Sequence, residues 1–339
     1  MINVGIIGAG RIGQVHGKSI VTGVGGARIK TIADPCLTQQ AEDWAKSAGI
    51  ENICADYQQI LKDDAIDAVL ICSSTDTHYQ ISMEAIEAGK HIFCEKPIAH
   101  ALSKIADVES ALAKAPRRLV YQVGFNRRFD HNFRALRKAV QEGKIGDLQF
   151  VRISSRDPEP PPAGYVKNSG GIFLDMMIHD LDMLRYLSGL DVEEVYAQGA
   201  VLIDPEIGEA GDVDTATVSA RFTGGALALI DNSRKSVYGY DQRAEVFGSK
   251  GCVHLGNDTA STAVLSTVDG VVSEKPLWFF LERYMGAYQA EMQAFLQSIE
   301  KGTAAEVGVE DGRISLQLAL ACKRSQAENR PVKLSEITA

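Results

Sequence analysis

The chain has 339 residues, 45% hydrophobic and 23% charged, an ordinary balance for a globular enzyme and enough length for two domains. Its formal net charge of -9 argues against nucleic acid or an anionic membrane as the main partner, since both attract basic surfaces, and no apolar run reaches membrane-spanning length. The 6 cysteines show neither a C-x-x-C pair nor metal spacing, and a first strand at Ile2 leaves no room for a cleaved leader, so reduced thiols, no bound metal and a cytoplasmic location are expected.

The first pattern is an apolar strand, Asn3 to Ile7, that leads straight into Gly8-Ala-Gly10-Arg11-Ile12-Gly13 and a helix through Ile20. Glycine serves at Gly8 for a tight strand-to-helix turn, at Gly10 for close approach of backbone to a pyrophosphate, and at Gly13 for helix-strand packing. A helix starting near Arg11 aims its unpaired N–H groups and positive dipole end at phosphates. Such glycine motifs are common by themselves. Here, however, a second strand, Arg28 to Ala33, ends in Asp34, at the spacing of about 20 residues that brings a carboxylate to a ribose. A carboxylate there accepts both adenosine ribose hydroxyls and repels a 2'-phosphate. With no cation at Pro35 or Cys36, NAD is expected rather than NADP.

Strand and helix patterns then alternate: a helix near Gln39 to Ala48, a strand at Ala68 to Cys72, a helix around Tyr79 to Ala88, a strand at His91 to Cys94, a helix from Ser103 to Ala113 and a strand at Leu119 to Gly124. This predicts a doubly wound parallel sheet covered on both faces, a Rossmann-type nucleotide domain over residues 1–122. Ligands lie beyond the carboxyl ends of the strands in such sheets. Ser73, Thr75 and His78, after the third strand, are therefore candidates for the nicotinamide ribose side. Glu95-Lys96-Pro97 follows the fourth strand, where Lys96 is placed to hold a substrate hydroxyl and offset alkoxide charge, and Glu95 to reach the nicotinamide. A solvated loop lysine and a simple salt bridge are the competing readings.

After Gly124 the texture changes. A charged helix runs from His131 to Glu142, and strands follow at Leu148 to Ser155, Val192 to Leu202, Thr215 to Phe222, Ala226 to Asn232, Arg243 to Phe247 and Cys252 to Leu255. Together with helices at Asp175 to Leu187, Arg283 to Glu300 and Glu310 to Glu328, they predict an α+β domain over residues 123–339 built on a large, mainly antiparallel open sheet. Ligand chemistry is expected in the cleft between the domains. Asp157 opens a proline-rich stretch, Pro158 to Pro162, that reads as a semi-rigid loop.

The richest polar group falls in the segment Gly170 to Gly189. On one continuous helix Asp175, His179 and Asp182 stand at i, i+4 and i+7 and share a face. An aspartate one turn before a histidine fixes its tautomer and raises its basicity, as a general base for an alcohol proton requires. The competing reading is a dipole-favoured carboxylate with a helical partner. Arg127, and Tyr238 with Arg156 and Asp157, are further candidates for binding substrate oxygens.

The combination of Gly8 to Gly13, Asp34, Glu95-Lys96-Pro97, Gly124-Phe-Asn-Arg-Arg-Phe129, Gly170 to Asp182 and Pro331-Val-Lys-Leu334 resembles the glucose-fructose oxidoreductase and inositol dehydrogenase family, most closely its inositol dehydrogenase branch. The resemblance implies that Lys96, Asp175 and His179 form the catalytic set, that Asp182 binds a substrate hydroxyl, and that the protein is a homotetramer. The expected activity is NAD-dependent oxidation of a secondary hydroxyl of a cyclic polyol, an inositol, to an inosose. The alternatives are a dehydrogenase of an aldose or other sugar, an NAD-dependent glycoside hydrolase and a non-catalytic NAD-binding regulator. The Pro158 to Pro162 loop and the surroundings of Tyr238 depart from the family pattern, which leaves the polyol open.

Overall fold

The opening apolar run folds as β1 (Ile2–Ile7), and the glycine turn passes into α1 (Arg11–Gly23), which buries Val15, His16, Ser19 and Ile20 on one side. The structure is a computed structural model that describes residues 1–339 apart from the side chains of Ala163 and Asn168. The chain continues through β2 (Ala27–Ala33), α2 (Gln39–Ser47), β3 (Asn52–Cys54), α3 (Gln58–Leu61), β4 (Ala68–Ile71), α4 (Thr75–Glu87), β5 (His91–Glu95), α5 (Leu102–Lys114) and β6 (Tyr121–Gly124). Among the described residues these strands form a parallel sheet in the order β3-β2-β1-β4-β5-β6. The order reverses between β1 and β4, the switch point at which such sheets open a crevice for a ligand. All four residues of β4 are buried, as a strand covered on both faces requires. The short β3 is absent from the sequence reading because three residues carry no readable periodicity, so Lys96 follows the fifth strand, not the fourth.

The second stretch begins with α6 (His131–Gln141), whose N-terminus is capped by the Asp130 carboxylate accepting from the amides of Asn132 and Phe133 at 3.1 and 3.2 Å. It proceeds through β7 (Leu148–Arg156), α7 (Ala163–Ser169), α8 (Ile172–Asp175), α9 (Ile178–Ser188), β8 (Val192–Ala200), α10 (Pro205–Glu209), β9 (Thr215–Phe222), β10 (Leu227–Ser233), β11 (Asp241–Gly248), β12 (Gly251–Leu255), the hairpin β13 (Val264–Thr267) and β14 (Gly270–Ser273), and α11 (Phe280–Arg283). With the terminal β15 (Val332–Lys333), the large sheet runs β12-β11-β7-β10-β9-β8-β15 among the described residues. Among the described residues only β7 and β10 pair in parallel in this sheet, so it is mixed and mostly antiparallel. Strand β9 shows why: Ala216, Val218, Ala220 and Phe222 are buried while Thr217, Ser219 and Arg221 are exposed, the alternation of a sheet covered on one face.

One expected element is broken. The helix anticipated over Asp175 to Leu187 is two helices, α8 ending at Asp175 and α9 starting at Ile178. Between them the Met177 amide reaches back to the Ile172 carbonyl at 2.8 Å and the His179 amide to that of Met176 at 3.4 Å, so the regular i to i−4 ladder is interrupted. Periodicity does not reveal such a break, because Met176, Met177 and Ile178 are buried on either side of it.

The chain then returns to the nucleotide-type sheet. Helix α12 (Met285–Lys301) places Met292, Phe295 and Leu296 in the same buried cluster as Ile2, Val4, Ile6, Leu70 and Phe93. Burial of each such side chain contributes about 1.5–3 kcal/mol, which is why the helix joins that core. The two compact units are accordingly Met1–Phe129 with Met285–Leu316 and Ala339, and Asp130–Tyr284 with Gln317–Thr338, the division falling inside α13 (Val309–Glu328). They do not follow a single cut after residue 122.

Candidate active site

The glycine turn of the first unit has the shape a dinucleotide needs. Gly8 has φ +98°, and a Cβ there would stand 2.6 Å from the Cys72 backbone; a Cβ on Gly13 would run into the Gly8 carbonyl oxygen. At Gly10 a Cβ would meet nothing within 4 Å, which leaves open space where backbone faces a phosphate. Arg11 is exposed and Ile12 half-buried in the first turn of α1. Beside this turn, Asp34 accepts the Ala9 amide on Oδ2 at 2.7 Å and the Cys36 amide on Oδ1 at 2.8 Å. Each oxygen retains a lone pair, so the carboxylate is both locked in place and able to accept ribose hydroxyls. The residues fit NAD. Replacing Asp34 with Ser is expected to weaken NAD+ binding by about ten- to a hundredfold, the worth of hydrogen bonds to a charged group, and to narrow the preference over NADP+; titration with both cofactors reads it.

The carboxyl ends of β4 and β5 carry the rest of this half. Ser73 Oγ and Thr77 Oγ1 are 2.6 Å apart at the start of α4, where Thr75 is the first residue. His78 is 1% exposed, with Nδ1 2.9 Å from the Pro97 carbonyl and Nε2 3.0 Å from that of Ser73. Burial by itself would lower its pKa, but Cys94 and the two carbonyls favour the protonated ring and raise it to about 9. Both ring nitrogens lie at hydrogen-bond distance from backbone carbonyls, so His78 ties the Pro97 segment to α4. Lys96, half-buried, and Pro97, joined by a cis peptide bond, stand directly beyond β5. Glu95 Oε1 lies 2.7 Å from His16 Nε2. Arg127 sits in a 3-10 turn, Asn126–Phe129, and is 3% exposed.

In the second unit Asp175 is held from two sides. Its Oδ1 accepts the Tyr165 hydroxyl at 2.9 Å and its Oδ2 faces Arg234 Nη1 at 3.0 Å. The same guanidinium is 3.9 Å from Asp157 and 4.0 Å from Asp212, and Asp212 in turn accepts the Ile172 amide at 3.0 Å at the start of α8. Arg234 thus draws Asp157 and Asp175 together and anchors the helix that carries Asp175. His179 is half-buried in the first turn of α9, and Asp182 is fully buried in the next. Tyr238 belongs to a different group: its hydroxyl donates to Asp241 at 2.6 Å and accepts from Arg156 at 3.1 Å, while Arg156 pairs with Asp231 at 2.8 Å. Arg156, Asp231 and Tyr238 of that group line a pocket of about 370 Å³ whose walls include neither Asp175 nor His179. Burial within the acid cluster works against the Asp241 carboxyl, but Arg243, Tyr238 and Asn257 hold its pKa below the usual carboxylate value.

Arg234 is the residue that sequence reasoning missed. The inward positions of β10 run Ala228, Ile230, Asn232, and the next inward step is Arg234, 2% exposed. A polar residue followed by a cation at positions where the alternation demands apolar side chains is the available signal. Its Nε and Nη2 have no hydrogen-bond partner among the described residues, which marks the guanidinium as bound to its place by charge as much as by hydrogen bonds. Among the described residues no group of acidic, histidine and cysteine side chains is arranged to hold a metal ion, and no helix is long and apolar enough to cross a membrane.

Comparison with known proteins places these features in context. Residues 2–125 match the family model of the oxidoreductase family, NAD-binding Rossmann fold, and residues 133–254 that of the GFO/IDH/MocA C-terminal domain. A myo-inositol 2-dehydrogenase of Thermotoga maritima is 45% identical over 99% of this chain and 99% of its own length. An inositol 2-dehydrogenase of Rhizobium meliloti is 43% identical over 98% of this chain and 99% of its own. Among solved structures, a scyllo-inositol dehydrogenase of Lactobacillus casei with bound NAD(H) and scyllo-inositol superposes with a TM-score of 0.91 at 31% identity, covering 99% of each chain.

Proposed function

The chain belongs to the GFO/IDH/MocA oxidoreductase family, and on that footing we propose that it is an NAD-dependent dehydrogenase that oxidises one secondary hydroxyl of myo- or scyllo-inositol to an inosose. The observation that carries this reading is the 45% identity with a myo-inositol 2-dehydrogenase across essentially the whole of both chains. Bound NAD+ supplies the hydride acceptor. Gly8, Gly10, Gly13 and the start of α1 hold its pyrophosphate, and Asp34 its adenosine ribose.

The proposed chemistry of the chain's own groups follows from their types. His179 takes the hydroxyl proton; Nδ1 is buried, so Nε2 is the ring nitrogen that receives it. Lys96 donates a hydrogen bond to the same oxygen and offsets the negative charge that grows on it as the carbon loses hydride. Asp175, fixed by Arg234 and Tyr165, stabilises the imidazolium, and Asp182, Asp157 and Arg127 serve the remaining substrate hydroxyls, Tyr238 being engaged with Asp241 and Arg156 instead. The helix break before α9 means that Asp175 does this from a separate, anchored segment and not as an i, i+4 neighbour on one helix.

Incubating the purified chain with a panel of inositol isomers, aldoses and glycosides, each with NAD+ and NADP+, tests the reading by absorbance of the reduced cofactor and by analysis of the products. Steady accumulation with myo- or scyllo-inositol and NAD+ is expected. Glycoside cleavage at constant NADH would replace the reading with a hydrolase, and accumulation only with aldoses would replace the substrate. We also propose a cytoplasmic homotetramer that buries the open face of the large sheet, where Leu227 and Phe247 are 46% and 45% exposed.

A further inference from the structure

Beneath the end of β5 lies a buried cluster that the proposed chemistry does not use. His16, fully buried on α1, stands edge-on to Phe93 and Tyr288, with ring centroids 4.7 and 5.4 Å away, and directs Nε2 at Glu95 Oε1 over 2.7 Å. With the hydrogen on Nε2 the ring donates that bond, and no group among the described residues reaches Nδ1. Across from His16, Gly124 has no side chain where a Cβ would come within 3.0 Å of the Glu95 carboxyl carbon and Oε2. The Glu95 carboxylate is therefore clamped by one donor on one side and given room by a glycine on the other, with its side chain 13% exposed at the end of the strand.

A second acid, Glu291 on α12, is fully buried, and neither of its oxygens has a partner among the described residues. Burial, and then the charge of Glu95, push its carboxyl well above the ordinary range. Burial thus favours the neutral form of Glu291 over a second charge beside Glu95.

The sheet order sets how far the end of β5 stands from the glycine turn. Asp34 follows β2, one strand to one side of the glycine turn at β1, and Glu95 ends β5, two strands to the other. At about 4.8 Å per strand, a dinucleotide with its ribose at Asp34 and its pyrophosphate at the turn carries its nicotinamide toward the end of β5, about 10 Å from β1. The nicotinamide ring is cationic when oxidised and neutral when reduced, so a fixed anion beside it attracts only the oxidised form. We propose that His16 is a positioning residue that holds Glu95 as a fixed negative charge at the nicotinamide end of the cofactor site, so that the protein binds NAD+ in preference to NADH and releases the reduced product. The inference rests on the dinucleotide reading above.

Equilibrium binding tests it, with NADH titrated by its fluorescence and NAD+ by competition, on the full chain and the variants Glu95→Gln, His16→Leu, His16→Gln and Glu291→Gln. Glu95→Gln is expected to weaken NAD+ binding by about tenfold and leave NADH within about twofold. His16→Leu moves the ratio the same way, and His16→Gln, which keeps an N–H in the place of Nε2, restores it. Glu291→Gln, replacing a neutral acid by a neutral amide, leaves the ratio as in the parent. Equal losses for NAD+ and NADH in Glu95→Gln would overturn the inference alone, as would a ratio that moves in Glu291→Gln. A parent chain that binds neither form would overturn the dinucleotide reading and the inference with it. Should His16→Leu fail to fold, the isosteric Glu95→Gln still decides.

Discussion

Alanine at Lys96 is expected to lower kcat for inositol oxidation by about 10²–10³-fold while the Kd for NAD+ changes by less than about threefold. The lysine follows β5 and contributes nothing to the glycine turn or to the Asp34 carboxylate, so the groups that hold pyrophosphate and adenosine ribose survive its removal. On the proposed role, what is lost is a preorganised cation at the oxygen where charge develops, an interaction stronger in the transition state than in the ground state. Methionine at the same position keeps the length and loses the charge, and is expected to match alanine. Initial rates followed by NADH formation, with NAD+ titrated separately, read both quantities. Loss of NAD+ binding with turnover retained per bound cofactor would reassign Lys96 to the cofactor.

The second large effect is expected at His179, where alanine removes the proton acceptor and lowers kcat by about 10²–10⁴-fold. Because the missing step is deprotonation of the alcohol, the residual rate of His179→Ala rises with pH further than that of the parent. Asn at Asp175 is expected to lower kcat by about tenfold or more with a smaller change in KM. It retains an acceptor for the Tyr165 hydroxyl but removes the anion that faces Arg234 Nη1 at 3.0 Å, leaving a buried cation with less compensation. The pH profile separates chemistry from structural damage: a general loss of folded protein scales the whole profile, whereas loss of the base changes its slope. An unchanged slope in His179→Ala would take the base role away from His179.

How far the site was legible depends on the range over which each signal acts. The glycine turn, the acid after β2 and the lysine after β5 are local in sequence, since a strand, a tight turn and a helix start leave their residue types in adjacent positions. The parallel alternation and the antiparallel region were legible for the same reason, strand period and helix period being written in the chain itself. Short elements such as β3 and the hairpin β13–β14 were not, because too few residues repeat.

The residue types of the chain thus determined by themselves a dinucleotide-binding half, a mainly antiparallel half and the identity of the candidate lysine, histidine and aspartate. Tertiary structure alone decided which groups touch. It broke the helix between Asp175 and His179, bound Asp175 to Arg234 across 59 positions of sequence, set both nitrogens of His78 at hydrogen-bond distance from backbone carbonyls, and brought α12 back to the first core. The physical reason is burial: a charged or polar group taken from water must find its partner wherever the fold presents one, and sequence spacing carries no record of that meeting.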